Sequence, residues 1–384
     1  MEKLNFDCRK FRFDRPCEPH KATGVVCKDC QVYDPVDVKI LIVKLDAAGD
    51  VLRTTSLLTP LKKIYPKSHV TWVTRKGSLD LLKHLPAIDR AVPVDTELSF
   101  LLLTEKFDLV LNPDSAPESA RIATLAQASE KRGFAMSDRG YVVATGEPAQ
   151  SWFETGINDL KKKQNTKTYQ HWLLESLGFP VSEHPVLWTV AAEEKEWARQ
   201  SLEGHFGDLS GLKFVGLNTG ASGRWKYKKW TIEGYEHLTK MLIEDDPSIR
   251  VLLYGGADEA VRNDRIAKVS PQKVFDTGSS NSLRQFGALV SMCDLLVTGD
   301  TLALHLGAAL KKPVIALFGP TSFHEIELYG VGEKIYESLP CLVCYLNDCT
   351  VQPNCMDSIS SQRLFAAVKR WMPAAAPRVN GNPN

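Results

Sequence analysis

The sequence predicts an α/β protein in which two Rossmann-like domains face a cleft, preceded by a cysteine-rich arm. Three observations carry that expectation. From residue 39 onward, short apolar runs alternate with helix-period segments, the grammar of parallel βαβ units. After a charged helix near 192–203 that grammar restarts at FVGLN (214–218), so it occurs twice. Residues 295–322, LLVTGDTLALHLGAALKKPVIALFGPTS, spell strand, turn, helix, strand and turn in one short stretch.

Bulk properties exclude several classes. The chain has 384 residues, enough for two or three domains, with 43% apolar and 24% charged residues. A net charge of +1 gives no field for nucleic acid. No apolar run approaches the roughly 20 residues that span a bilayer. Charged residues crowd the first positions, so no signal peptide is read there and a cytoplasmic protein is expected. Eight of the nine cysteines fall in two clusters. In a reducing compartment that usage points to metal or redox roles rather than disulfides. The ninth, Cys293, sits in an apolar helix pattern and reads as core.

Residues 1–37 form the arm. They read as neither strand nor helix and contain too little apolar material for a core, so they need a staple. Cys27 and Cys30 have metal-ligand spacing; Cys8 and Cys17 complete a four-thiol set, and His20 is an alternative ligand. Zinc is the first expectation; thiolates also hold iron or iron–sulfur clusters.

The first domain is expected over 38–205. KILIVKL (39–45) is its first strand, followed by a turn and a helix over 51–64. The turn lacks G-x-G-x-x-G, so the nicotinamide fingerprint is missing. It carries instead one carboxylate, Asp50, at the carboxyl end of the strand, where open α/β folds place ligands; a helix cap is the plainer reading. Strands follow at 69–74, at 90–94 (an edge strand carrying Pro93) and at 107–112, with a short helix at 78–85. Asn112 and Asp114 end the last of these strands on the crevice side, as ligand contacts or as turn formers. A helix is expected over 118–129, then an irregular segment over 136–168 with Lys161, Lys162 and Lys163, then a helix over 169–177. The lysine run is a solvated face or a lure for an anionic ligand.

The second domain is expected over 206–356. Its first turn, from Asn218 to Gly223, is rich in small residues that let amides such as those of Thr219 and Gly220 crowd a phosphate. Arg224, Lys226, Lys228 and Lys229 follow, then Trp230 and a helix from Ile232. After the strand 251–256, Asp258 and Glu259 begin a helix that acids cap well. In the 295–322 unit, Asp300 and Thr301 stand at a helix start that favours an anion, and His305 is the polar residue of an otherwise apolar helix. Cys341, Cys344, Cys349 and Cys355 form a second compact metal-type loop. Residues 357–384 comprise an amphipathic helix over 360–372 and a Pro- and Asn-rich tail expected to be disordered.

Two of these stretches carry a resemblance. IVKLDAAGDVLRTTSLLTPLKKIYP (42–66), and the set Asp300, Thr301, His305, Ala308, Ala309, Leu317, Phe318, Gly319, Pro320 and Thr321, resemble glycosyltransferase family 9, the heptosyltransferases of bacterial lipopolysaccharide synthesis. The likeness covers about 38–335. Where the commoner family form has Gly after the Thr, this chain has Leu302.

The resemblance implies the GT-B architecture and inverting transfer without a catalytic cofactor or divalent metal. It makes Asp50 the base and Lys228, in Lys228-Lys229-Trp230, the pyrophosphate ligand. Thr219, Gly220, Glu259, Asp300, Thr301 and His305 become donor contacts, Asn112 and Asp114 acceptor contacts. It implies a nucleotide-diphosphate sugar donor, first ADP-heptose, and a glycan or lipid-linked acceptor, with peripheral contact at the inner face of a membrane in the lipid case. It also implies that the last helix packs back on the first domain. A protein or other-glycan glycosyltransferase using a different nucleotide sugar, a nicotinamide oxidoreductase and a non-catalytic metal-stapled interaction protein are the alternatives.

Overall fold

Two parallel sheets dominate the computed structural model, which describes residues 4–221 and 226–373. The expectations for Ser222, Gly223, Arg224 and the tail lie outside the described residues. The first sheet contains β1 (Val38–Val43), β2 (Ser68–Thr74), β3 (Arg90–Pro93), β4 (Lys106–Asn112), β5 (Gln127–Met136) and β6 (Val142–Ala144), in the order β3-β2-β1-β4-β5-β6. The second contains β7 (Lys213–Asn218), β8 (Ile249–Tyr254), β9 (Val274–Asp276), β10 (Leu295–Gly299), β11 (Val314–Leu317) and β12 (Gly332–Ile335), in the order β12-β11-β10-β7-β8-β9. Counted from its own first strand, the second sheet repeats the order of the first. All pairings are parallel except β5 with β6.

The central strands are buried on both faces, as Ile40, Leu41, Ile42 and Val43 show, which is why they read as continuous apolar runs. In each sheet the strand order reverses beside the first strand, between β1 and β4 and between β7 and β10. Ligand crevices open at the carboxyl ends of the strands at such points. Asp50 follows β1 and Asp300 follows β10, so topology alone aims both at that edge.

Several expectations need correction. The domain boundary at 205 is too late. Helix Ala192–Phe206 packs on helix Leu283–Met292, and Arg284 grips Glu194 with Nε–Oε1 at 2.7 Å and Nη2–Oε2 at 2.5 Å. Its buried side chains, Ala198 and Leu202, share a core with Phe214 and Tyr254. The last helix, Ser361–Trp371, lies on the second domain rather than the first. Leu364, Ala367 and Val368 join Trp230, Leu238 and Ile335 in one apolar cluster, and Lys369 Nζ meets Asp245 at 2.7 Å. An apolar stripe flanked by matching charges finds its nearest complementary flank there.

The segment 136–168 is not irregular. It holds the end of β5, all of β6, and helices Glu147–Ile157 and Asp159–Gln164, the second capped by Asn158. The arm likewise has a short helix, Glu18–Thr23, and a tight turn at Cys27–Asp29. Helix Ala48–Thr54 packs on helix Leu302–Ala309 across the domains, and the region of helix Tyr169–Ser176 adds hydrogen bonds: Tyr169 N donates to Glu325 O at 3.0 Å, and Tyr329 Oη donates to His184 O at 2.9 Å.

Candidate active site

Asp50 sits in the first turn of helix Ala48–Thr54, which follows β1. Arg53, one turn on, reaches back to it, with Nε at 2.9 Å and Nη2 at 2.7 Å from the same oxygen, Oδ1. Oδ2 receives a long 3.4 Å contact from Ala47 N. The guanidinium is held flat by stacking on Tyr169, 3.7 Å from the ring centroid. Burial alone would raise the Asp50 carboxyl, but Arg53 and Lys44 outweigh it and hold it at about 2.

Across the cleft, Asp300 follows β10 and Thr301 occupies the N-cap position of helix Leu302–Ala309. Lys228 Nζ lies 2.7 Å from Asp300 Oδ2, and Thr321 Oγ1 donates to the same oxygen at 3.0 Å. Thr301 Oγ1 accepts from Asn218 Nδ2 at 3.1 Å. No side chain caps the amides that open the Leu302–Ala309 helix, and Thr301, Leu302 and Ala303 line the cleft at that helix start. Burial, then Arg53, lowers the His305 imidazole to about 4, so it is neutral at ordinary pH. Its ring packs on Gly49, where a Cβ would stand 3.1 Å from His305 Cδ2.

These groups share one cleft of about 950 Å³, lined from the first domain by Asp50 and Arg53 and from the second by Gly220, Lys228, Glu259, Asp300, Thr301 and His305. Lys229 turns aside to pair with the buried carboxylate of Glu259, which also accepts from Gly256 N at 2.9 Å. Lys228, not its neighbour, is therefore the cleft lysine. Gly220 is needed because a Cβ there would come within 2.8 Å of the Glu259 carboxyl. Leu302 lines the cleft with a half-buried side chain packed on the shared core.

Three expected ligand contacts are otherwise engaged. Asn112 is fully buried; Nδ2 donates to Phe134 O at 2.8 Å and Oδ1 accepts from Asp114 N at 3.1 Å. Asp114 is buried against Lys44 Nζ at 3.4 Å and takes Ala116 N at 3.1 Å. Both close the turn after β4 and neither lines the cleft. Thr219 also faces away: its hydroxyl donates to Asn263 Oδ1 at 2.6 Å and its amide to Tyr254 O at 3.1 Å.

The cleft holds groups that the sequence reading passed over. Arg53 was legible as an opposite charge three residues after Asp50. Glu325 and Tyr345 come from distant segments. Tyr345 Oη donates to Glu325 Oε1 at 3.1 Å and accepts from Ser322 N at 3.3 Å. Burial raises the Glu325 carboxyl. Tyr345 lies inside the late cysteine loop, which is tied to the end of β11 by Val343 N to Gly319 O at 3.2 Å and Tyr345 N to Pro320 O at 2.8 Å. Burial, then the nearby Cys344 thiol, pushes Cys355 up to about 11. Among the described residues, no three Cys, His, Asp or Glu side chains stand close enough to share a single metal ion, in this loop or in the arm. The single-ion geometry expected for Cys8, Cys17, Cys27 and Cys30, and for Cys341, Cys344, Cys349 and Cys355, is therefore not present.

The family model for glycosyltransferase family 9 (heptosyltransferase) matches residues 98–353. The chain belongs to that family. It is a glycosyltransferase, and its two facing α/β domains are the GT-B architecture. Lipooligosaccharide heptosyltransferase 2 of Haemophilus influenzae is 24% identical over 308 residues, covering 74% of this chain and 84% of the relative. Among solved structures, the family 9 glycosyl transferase of Veillonella parvula aligns at a TM-score of 0.70 with 18% identity, covering 88% of this chain and 97% of that one. The E. coli ADP-heptose LPS heptosyltransferase II aligns at 0.65 with 20% identity, covering 87% and 98%. No described helix of this family 9 transferase is long and apolar enough to cross a membrane.

Proposed function

We propose that this family 9 transferase moves heptose from ADP-heptose to a lipopolysaccharide-type acceptor with inversion, using Asp50 as general base. One observation carries the reading: Asp50 of the first domain and the Lys228, Asp300 and Thr301 group of the second line the same cleft. The names of the relatives support the sugar and the acceptor class.

In this reading the donor pyrophosphate lies against Lys228, the amides at the start of helix Leu302–Ala309 and the small-residue turn at Gly220 and Ala221. Negative charge grows on the leaving diphosphate as the glycosidic bond breaks, and donors already fixed in place lower that barrier. Glu259 and Asp300, which line the cleft while paired with Lys229 and Lys228, are read as the acceptors for sugar hydroxyls. The acceptor hydroxyl approaches Asp50 through Oδ2, because Oδ1 is taken by Arg53. Its oxygen attacks the anomeric carbon opposite the leaving group, the C–O bond to the diphosphate breaks, and the hydroxyl proton passes to Asp50.

A carboxyl near 2 is always ionised but weakly basic. An anionic acceptor that draws Arg53 onto itself raises the basicity of Asp50 at the moment of attack. Lys162 leans over the Tyr345 ring, with Nζ 4.7 Å from its centroid, and adds positive charge at that edge of the cleft. The late cysteine loop acts as the scaffold for Tyr345, through Val343 N to Gly319 O and Tyr345 N to Pro320 O. The function is tested by transfer assays with ADP-heptose, reading the anomeric configuration of the product by NMR. Retention at that carbon, or no transfer with any nucleotide heptose, contradicts the reading.

A further inference from the structure

The arm is folded without a core. None of residues 4–37 is buried, yet its backbone is ordered by Arg9 N to Asp34 O at 2.8 Å, Val36 N to Asp7 O at 2.8 Å and Phe11 N to Cys8 O at 2.9 Å. Its short helix begins immediately after Cys17, and its tight turn begins at Cys27 and closes on Cys30. These turns set all four thiols around a single cavity of about 440 Å³. A segment this short with no apolar interior is normally held by a covalent or metal staple.

The shape of the cavity separates two kinds of staple. A zinc ion holds four sulfurs at about 2.3 Å, which draws them into mutual contact. In the arm all four cysteines line one cavity of about 440 Å³, and among the described residues no three potential ligands converge on one ion. Four cysteines around a wider space suit a cluster whose own iron and sulfide fill the middle. Lys10, Arg12, Arg15 and Lys28 line the same cavity with one acid, Asp29, a charge balance that suits any metal centre held by four thiolates.

We propose that Cys8, Cys17, Cys27 and Cys30 ligate one [4Fe–4S] cluster. Each thiol gives up its proton as its sulfur bonds to iron. The cluster lies far from the transfer chemistry. Arg9 ties the arm to Asp89 and, at 2.9 Å, to Ser68 O, at the amino ends of β2 and β3, whereas Asp50 is at the carboxyl end of β1. The cluster is thus a staple for the arm, and it stands or falls independently of the transfer reaction.

The test uses the full chain, purified without oxygen and reconstituted with sulfide and equal amounts of ferrous and ferric iron, which gives the reducible cluster without a further oxidant, and measures iron, acid-labile sulfide and visible absorption. About four sulfides per chain are expected, with a broad absorption that bleaches on reduction. C27S/C30S should lose all of the sulfide, and C341S/C344S should keep it. Stoichiometric zinc with no sulfide, or sulfide that survives C27S/C30S, overturns the proposal. Native alkylation of the wild-type chain gives a check that needs no variant. The four arm cysteines should resist iodoacetamide until ferricyanide strips the cluster, and immediate alkylation of all four overturns the proposal too.

Discussion

Gly49 packs directly against the imidazole of His305, so closely that a Cβ on residue 49 would lie 3.1 Å from Cδ2 and 3.6 Å from Nε2. This is where the first-domain motif touches the second. Replacing Gly49 by Ala therefore pushes on the His305 ring and moves Asp50 relative to the donor groups. Small misplacements of reacting groups cost about 100-fold in rate, so G49A is expected to lower kcat/KM by about one to two orders of magnitude. Stability should fall by only about 1–3 kcal/mol, as overpacking does. A double-mutant cycle checks the cause: with His305→Ala already present, the G49A effect should shrink sharply.

Arg53 sets the protonation of Asp50. The carboxyl is held at about 2 against an ordinary 3.8, so its ionised form is favoured in the folded state. That contribution to stability is fully present above pH 3.8 and is lost as pH falls toward 2. Arg53→Ala should raise the Asp50 carboxyl and move the acid limb of the kcat/KM profile to higher pH. An unchanged acid limb in R53A shows that Arg53 does not tune the base.

Lys228 and Lys229 are adjacent in sequence but differ in role. Lys228→Met removes charge from the donor cleft and the partner of Asp300, so kcat/KM should fall by about 100- to 1,000-fold together with a loss of melting temperature. Lys229→Met strips the partner from the buried Glu259 carboxylate, and breaking such a pair costs about 3–5 kcal/mol. Both variants break a largely buried ion pair, so kinetics rather than thermal unfolding should separate them.

Tyr345→Phe leaves Ser322 N–H and the Glu325 carboxyl each short of one partner. The expected cost is about 1–3 kcal/mol, seen as a lower melting temperature, together with weaker acceptor saturation. Equal stability and kinetics would show that the cysteine loop has no part in the cleft.

The residues that were legible from sequence belong to local patterns, and those that were missed depend on distant partners. β1, β7 and β10 stand out because strands buried on both faces must be apolar throughout. Asp50, Asp300 and His305 stand out because each lies at a strand-to-helix turn or interrupts an apolar helix. Helix Ala192–Phe206 looked like the end of the first domain because only Ala198 and Leu202 are buried, too few to show which sheet it serves. Asn112 and Asp114 do occupy the carboxyl end of β4, but their side chains are consumed by Phe134 O and Lys44. No spacing rule predicts that. Glu325 and Tyr345 meet only after the late loop folds back across β11. The amide of Thr219 is used by β8, so the phosphate-crowding turn begins one residue later than expected.

The most direct measurement pairs calorimetry with transfer kinetics on Asp50→Asn. This substitution keeps the shape of the side chain and removes its ability to take a proton. Binding of ADP-heptose should be unchanged, because the donor groups all lie on the other domain, while kcat should fall by about 100- to 10,000-fold, the usual worth of a positioned base. Full transfer by D50N, or loss of donor binding in step with loss of rate, would contradict a base that reaches across the cleft.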